Sequence, residues 1–289
     1  MPIDSAKAET CSAASSIASR TFAGSLVPFF VATFAFTWAC WFGLLAARIP
    51  LQSPIAQLLV LIGTFAPAFS ALWFTGKYEG RRGIQRLLNR TLKWRVGIPW
   101  YVLAVTYLAA VKLVSALIYR LITGVWPRFG TEPWYLMFVA IVFSTPVQSG
   151  EEIGWRGYAL PGLAERMGFA WASVLLGLIW ACWHLPIFFI PGADKYGQSF
   201  PIWATAVTAV SVAMAYVYVK TGGSLLLTML MHAAINNTSD IVPAAQAGSS
   251  SPFTFHASPI LWLTTALTWI AGTYLLLRMP KLAGKSELR

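Results

Sequence analysis

Apolar residues fall in long runs near 25–47, 55–75, 98–123, 134–157, 169–190, 201–219, 222–240 and 258–278, with polar residues gathered between them. A helix of about 20 such residues crosses a hydrocarbon core of about 30 Å. The pattern predicts an all-α polytopic membrane protein, with about eight transmembrane helices in one bundle spanning 23–280. Two runs are less uniform than the rest: 134–157 carries two carboxylates, and 222–240 carries His232 and two asparagines. Residues 1–22 are polar, rich in Ser and Ala, and hold Asp4 and Glu9, so they read as a disordered tail and not as the basic start of a cleavable signal. Residues 281–289 read as a basic C-terminal tail, and no internal repeat is visible.

Composition sharpens this picture. Of 289 residues, 57% are hydrophobic, 15% aromatic and only 11% charged, against about 25% charged in an average soluble domain. A water-soluble globule, a disordered chain and a disulfide-stapled secreted domain are all excluded. Cys11, Cys40 and Cys182, an odd number far apart, form no disulfide framework.

The net charge of +11 raises the question of nucleic acid, but the cations sit between apolar runs, where they meet lipid headgroups, so no nucleic-acid partner is expected. Residues 76–97 form the longest polar stretch outside the tail, with Lys77, Arg81, Arg82, Arg86, Arg90, Lys93 and Arg95 against Glu79 alone. Placing that stretch in the cytoplasm, with eight spans, puts both termini there as well. Sixteen Lys and Arg then lie inside and four outside (Arg48, Arg120, Arg128, Lys195), with Lys112 within a span. The asymmetry fits the positive-inside rule.

Ionisable residues inside a span are expensive, about 2.5–3.5 kcal/mol each on insertion scales, and mark function by default. They concentrate here in three places. In Glu151-Glu152-Ile153-Gly154-Trp155-Arg156, Glu152 and Arg156 are four apart and share a helix face, so they can pair. Glu151 points about 100° away from that face, without a local cation, and suits general acid–base chemistry. The competing reading is two solvated glutamates at a helix end. In Trp180-Ala181-Cys182-Trp183-His184, His184 lies deep in an aromatic run, and Cys182 faces the other way and reads as packing. His232 and Asn236 are four apart on one face and offer paired donors, or else polar contacts between helices. His256 lies in an outer loop and is set aside. The zincin His-Glu-x-x-His pattern is absent, and no Ser or Cys lies in a nucleophile-elbow context. An acid, two histidines and an amide on three helices are an inventory for activating a water and holding an oxyanion.

These motifs, in this order on successive hydrophobic segments, resemble the CAAX prenyl endopeptidases of the Ras-converting type and their bacterial relatives, the CAAX proteases and bacteriocin-processing enzymes. The resemblance covers roughly 134–240, the expected catalytic core. Trp180 and Trp155 stand where the family more often has Phe. The resemblance implies an eight-helix intramembrane protease with a cavity open toward the cytoplasm. Glu151 and His184 would activate the water, His232 and Asn236 would stabilise the oxyanion, and Glu152 and Arg156 would be a structural pair. If a metal takes part, Glu151, His184 and His232 are the candidate Zn2+ ligands; a metal-free glutamate route stays equally open. The partners implied are membrane lipids and a peptide or lipidated protein substrate, a prenylated CAAX-type peptide among them. Two other readings stand beside it: a proton- or ion-coupled transporter using Glu151, His184 and His232 as a relay, and a catalytically silent scaffold.

One difficulty attends the eight-span layout. At about 1.5 Å per residue, Glu151 lies about 9 Å from the cytoplasmic end of its run, His184 about 20 Å and His232 about 16 Å. Kinks at Pro146 or Pro186, helix tilt, or a late helix start must bring them level.

Overall fold

Four helices begin at a serine whose hydroxyl takes up an otherwise orphaned backbone N–H. Ser53 accepts from Ala56, Ser199 from Ile202, Ser224 from Leu227 and Ser258 from Leu261. Proline follows at the first or second helical position in three of them, where its missing N–H has no intrahelical partner to lose. A computed structural model of the chain describes residues 26–131, 133–238, 241 and 251–280. The expected tails at 1–22 and 281–289 lie outside the described residues.

The described residues form helices and no strand. In chain order the helices are α1 (Leu26–Ala46), α2 (Pro54–Thr64), α3 (Ala66–Asn89), α4 (Ile98–Thr123), α5 (Trp134–Ser144), α6 (Ser149–Gly154), α7 (Leu160–Trp183), α8 (Phe200–Lys220), α9 (Leu225–Asn237) and α10 (Pro259–Leu277). A π-helical turn, Trp155–Ala159, joins α6 to α7, and short 3-10 turns follow α3 (Arg90–Leu92) and α7 (Leu185–Phe189). Five helical stretches among the described residues are long and apolar enough to cross a membrane, or six when α2 and α3, which meet at a 40° bend, are taken as one. The protein is therefore all-α and polytopic. All eight apolar runs are helical, but α5 has 11 residues and α9 has 13, about 16 and 20 Å of helix, too short to cross alone.

Two glycines reverse the chain. Gly80 (φ 65°, ψ −164°) and Gly168 (φ 76°, ψ 160°) adopt a backbone conformation that is essentially glycine-only. Residues 76–89, expected as a loop, instead continue α3 as a helical hairpin around Gly80; Gly83 and Leu87 turn inward while Arg81, Arg82 and Arg86 stay exposed. At Gly168 the consequence is larger. On a straight helix Glu151 and Trp180 would stand about 43 Å apart, yet their side chains are hydrogen-bonded. The stretch 149–183 is therefore two antiparallel arms.

This arrangement corrects the expected span 134–157. Proline at 146 has no N–H to continue α5, residues 145–148 form tight turns, and a new helix starts at Ser149 and runs on past residue 157. Glu151 thus sits near the beginning of an arm and not near its end.

One end of the bundle is basic. There Arg90 donates to the Tyr218 hydroxyl (2.7 Å), Lys93 to the Gly222 carbonyl (2.8 Å) and Ser224 to the Lys93 carbonyl (2.7 Å). Desolvation by burial, with Arg90 nearby, lowers the Lys93 pKa below the usual lysine value. At the opposite end Ser199 donates to the Thr254 carbonyl and the Phe200 N–H to that of Pro252. Close helix approach depends on small residues, as expected in lipid. A Cβ added at Gly154 would stand 2.4 Å from Pro67 Cβ and 2.6 Å from the Pro67 carbonyl, so α6 rests directly on α3.

Candidate active site

The Gly168 reversal brings the polar clusters level. Glu151 lies 17 residues before Gly168 and His184 lies 16 after it, so both stand about 24–26 Å up their arms. The third cluster joins at the same height. A Cβ on Gly157 would touch Leu225 Cδ1 at 3.1 Å, which sets the start of α9 beside Gly157. His232 is then seven residues up from Leu225, while Glu151 is six up from Gly157. The mismatch of heights expected from the sequence came from the wrong end of one helix, and no tilt is needed to remove it.

The adjacent glutamates diverge as a helix requires. Glu151, 5% exposed, turns toward α7: its Oε2 accepts the Trp180 indole N–H at 2.7 Å and lies 4.0 Å from His184 Nε2. His184 Nδ1 lies 2.8 Å from the Trp180 carbonyl. A carbonyl only accepts, so this network assigns the proton to Nδ1 and the lone pair to Nε2, the nitrogen nearest Glu151. Glu152 turns the other way. Its Oε1 accepts from Arg156 at 2.8 Å and from His232 Nδ1 at 2.9 Å, and Glu152 and Arg156 are both fully buried.

The pairing of Glu152 with Arg156 on one face is present, and His232 is a third member that the spacing did not show. Glu152 Oε2 and Arg156 Nε and Nη2 have no hydrogen-bond partner among the described protein atoms. The guanidinium of Arg156 lies 4.4 Å from the centre of the Trp180 ring.

Trp180 is the residue that sequence reasoning missed. It appeared only as an aromatic in a motif, yet it meets Glu151, Arg156, His184 and His232. Its indole N–H holds Glu151, its carbonyl fixes the His184 tautomer, and its ring meets the His184 ring at 5.5 Å and the His232 ring at 5.2 Å, both edge-on. A signal was available: Trp180 is four residues before His184 on the same face, and a buried indole N–H needs an acceptor.

Further aromatic rings wall in His184, with Trp183 at 4.6 Å and Trp203 at 5.1 Å. Trp183 is in turn tied to α1, donating to Thr37 and accepting from Trp38. Cys182 is exposed on the outer face of α7, so it faces away as expected but does not pack in the core. Asn236 lies one turn beyond His232 and is exposed.

Among the described residues no three His, Cys, Asp or Glu are placed to hold a metal ion. Glu151, His184 and His232 as positioned do not fit the Zn2+ ligand set.

Leu26, at the start of α1, packs against the position of Gly162 near the Gly168 turn, so the chain enters at the basic end. Between the polar cluster and that end, Glu152, Trp155, Arg156, Leu160 and Leu176 are all fully buried. His184 keeps 13% side-chain exposure, and Asn236 lies toward the opposite end.

Residues 131–238, which contain all six polar site residues, match the family described as type II CAAX prenyl endopeptidase Rce1-like. The chain is also 25% identical over 232 residues to the CAAX prenyl protease 2 of Methanococcus maripaludis, covering 75% of this chain and 85% of that protein. Segment 131–238 is therefore similar to the Rce1-like CAAX prenyl endopeptidase family, and the chain is a membrane-embedded protease.

Proposed function

We propose that the protein hydrolyses a peptide bond of a membrane-associated substrate with a water activated by Glu151 and His184. The observation that carries this reading is the 4.0 Å gap between Glu151 Oε2 and His184 Nε2. It is too long for a direct hydrogen bond, and a water making two bonds of about 2.8 Å bridges it at an angle of about 90°. One O–H points at the carboxylate and the other at the Nε2 lone pair. Glu151 takes the proton as the water oxygen attacks the scissile carbonyl, and the same carboxyl returns it to the leaving nitrogen.

The tetrahedral oxyanion is held by His232 and Asn236. His232 already donates from Nδ1 to Glu152, so donation from Nε2 as well requires the imidazolium form. The buried Glu152 carboxylate fixes the orientation of the His232 ring, and Arg156 holds the carboxylate in place. Glu152 and Arg156 are thus positioning residues acting through His232. The substrate class follows from the family: a membrane-held peptide, with a prenylated CAAX-type peptide as the type that the name of the Methanococcus relative points to. The same reading sets both termini and the basic end in the cytoplasm, on the charge asymmetry.

The test compares protein termini in membranes from cells making the native chain or Glu151→Gln at matched levels. New termini that appear only with the native chain identify substrate and scissile bond together. Identical termini with both proteins folded refute hydrolysis at this site.

A further inference from the structure

We infer that Lys195 determines specificity at this site: its ammonium takes a carboxylate of the peptide substrate, no more than about three residues from the scissile bond. The inference rests on the protease reading and adds to it a group that the substrate presents.

A continuous line of side chains joins the polar cluster to Lys195. The Trp203 ring lies 5.1 Å from the His184 ring, edge-on, and Lys195 Nζ lies 6.0 Å from the centre of the Trp203 ring. Laid end to end, those two distances put the ammonium at most about 11 Å from His184. An extended peptide advances about 3.3–3.6 Å per residue, so about three residues cover that distance. His184 and Lys195 keep 13% and 22% side-chain exposure, and Trp203 between them is half-buried, so the line is reachable from outside the fold. Phe188 and Phe200 stand 5.3 and 6.5 Å from the Trp203 ring. The residues between the scissile bond and the carboxylate therefore meet an aromatic wall.

The backbone holds Lys195 in place. The N–H groups of Ala193, Tyr196 and Gln198 donate to the carbonyls of Ile190, Ala193 and Lys195, each at 3.1 Å, and Ser199 then caps α8. The ammonium still has donors to offer. Its partner Asp194, at 2.7 Å, is 72% exposed, where water competes for the pair, and an ammonium carries three N–H groups. Arg156, the cation inside the cluster, is fully buried and already committed to Glu152. A carboxylate that reaches Lys195 replaces or joins Asp194 without unpairing a buried charge. It comes either from the C-terminus of the peptide or from an Asp or Glu side chain.

The test measures binding of a prenylated CAAX-type peptide to the full chain in detergent, with Glu151→Gln in place so that nothing is cleaved. The readout is the anisotropy of a fluorophore on the N-terminus of the peptide. One peptide ends in a free carboxylate, a second in a carboxamide, and a third set ends in a carboxamide but carries Asp at one of the last three positions. With Lys195 present, a carboxylate peptide is expected to bind about 10-fold tighter than the plain carboxamide. Lys195→Gln is expected to cut that ratio to about twofold or less, and Lys195→Arg to restore most of it. Tight binding by the free terminus assigns the carboxylate to the chain end; tight binding only by an Asp peptide assigns it to a side chain. Equal binding of all the peptides with Lys195 present, or a preference that survives Lys195→Gln, overturns the proposal. Hydrolysis by the chain with Glu151 intact is read separately. Selective binding without cleavage refutes the protease reading alone, and cleavage without selectivity refutes the role of Lys195 alone.

Discussion

Removing Arg156 tests the division of labour between the two glutamates. Arg156 and Glu152 form a fully buried pair at 2.8 Å, and truncation to Ala leaves the carboxylate without its cation. Breaking a buried pair from one side costs about 3–5 kcal/mol. The stack of the guanidinium on Trp180, at 4.4 Å, adds about 1–2 kcal/mol. His232 still donates to Glu152 in the variant, which places the net loss toward the lower figure, about 3 kcal/mol. At about 2–4 °C per kcal/mol, Arg156→Ala is expected to lower Tm by about 6–12 °C. Glu151→Gln is a different case: the new amide oxygen still accepts from Trp180, the 4.0 Å approach to His184 is all that is lost, and the expected change is about 1 kcal/mol or less. The assay is thermal denaturation in detergent, followed by tryptophan fluorescence. A third variant, Glu152→Leu with Arg156→Met, leaves no buried charge unpaired and is expected to recover at least half of the loss. Equal Tm shifts for Arg156→Ala and Glu151→Gln, or the reverse order, refute the assignment of Arg156 to structure and Glu151 to chemistry.

Three other outcomes are expected. Asn236→Ala removes one oxyanion donor at an exposed position, so kcat on a cleavable peptide falls about 100–1000-fold while Tm stays within about 1 °C; an unchanged kcat removes Asn236 from the site. Trp180→Phe keeps a buried ring but deletes the N–H that holds Glu151, and the hydrogen-bond loss of about 1–3 kcal/mol should appear mainly in kcat; a change confined to KM shows that Trp180 only shapes the cavity. Gly168→Ala forces an L side chain into a glycine-only conformation and is expected to destabilise by about 1–3 kcal/mol, read as an earlier melting transition; no shift means that the reversal is not held at that residue.

Helices bounded by strong local chemistry were legible. The runs at 98–123, 201–219 and 258–278 meet α4 (Ile98–Thr123), α8 (Phe200–Lys220) and α10 (Pro259–Leu277) within a residue at each end. Glycine, serine caps and early prolines mark where these start. Hydropathy alone says nothing about where a helix stops inside an apolar region. The run at 134–157 was divided at 145–148, and its second half extends through the polar Glu165 and Arg166 to Gly168, because hydrogen bonding within a helix is indifferent to the polarity of the side chains it carries.

That one boundary governs the site. Ending the helix near 157 sets Glu151 close to a membrane surface and separates it from His184 by about 10 Å; ending it at Gly168 gives two arms of 17 and 16 residues and brings the groups to 4.0 Å. Spacing within one helix could be read directly, which is why Glu152 and Arg156 pair and why Glu151 faces elsewhere. Contacts between helices could not: that His232 belongs to Glu152, and that Trp180 joins Glu151 to both histidines, depends on α7 and α9 being level across the reversal.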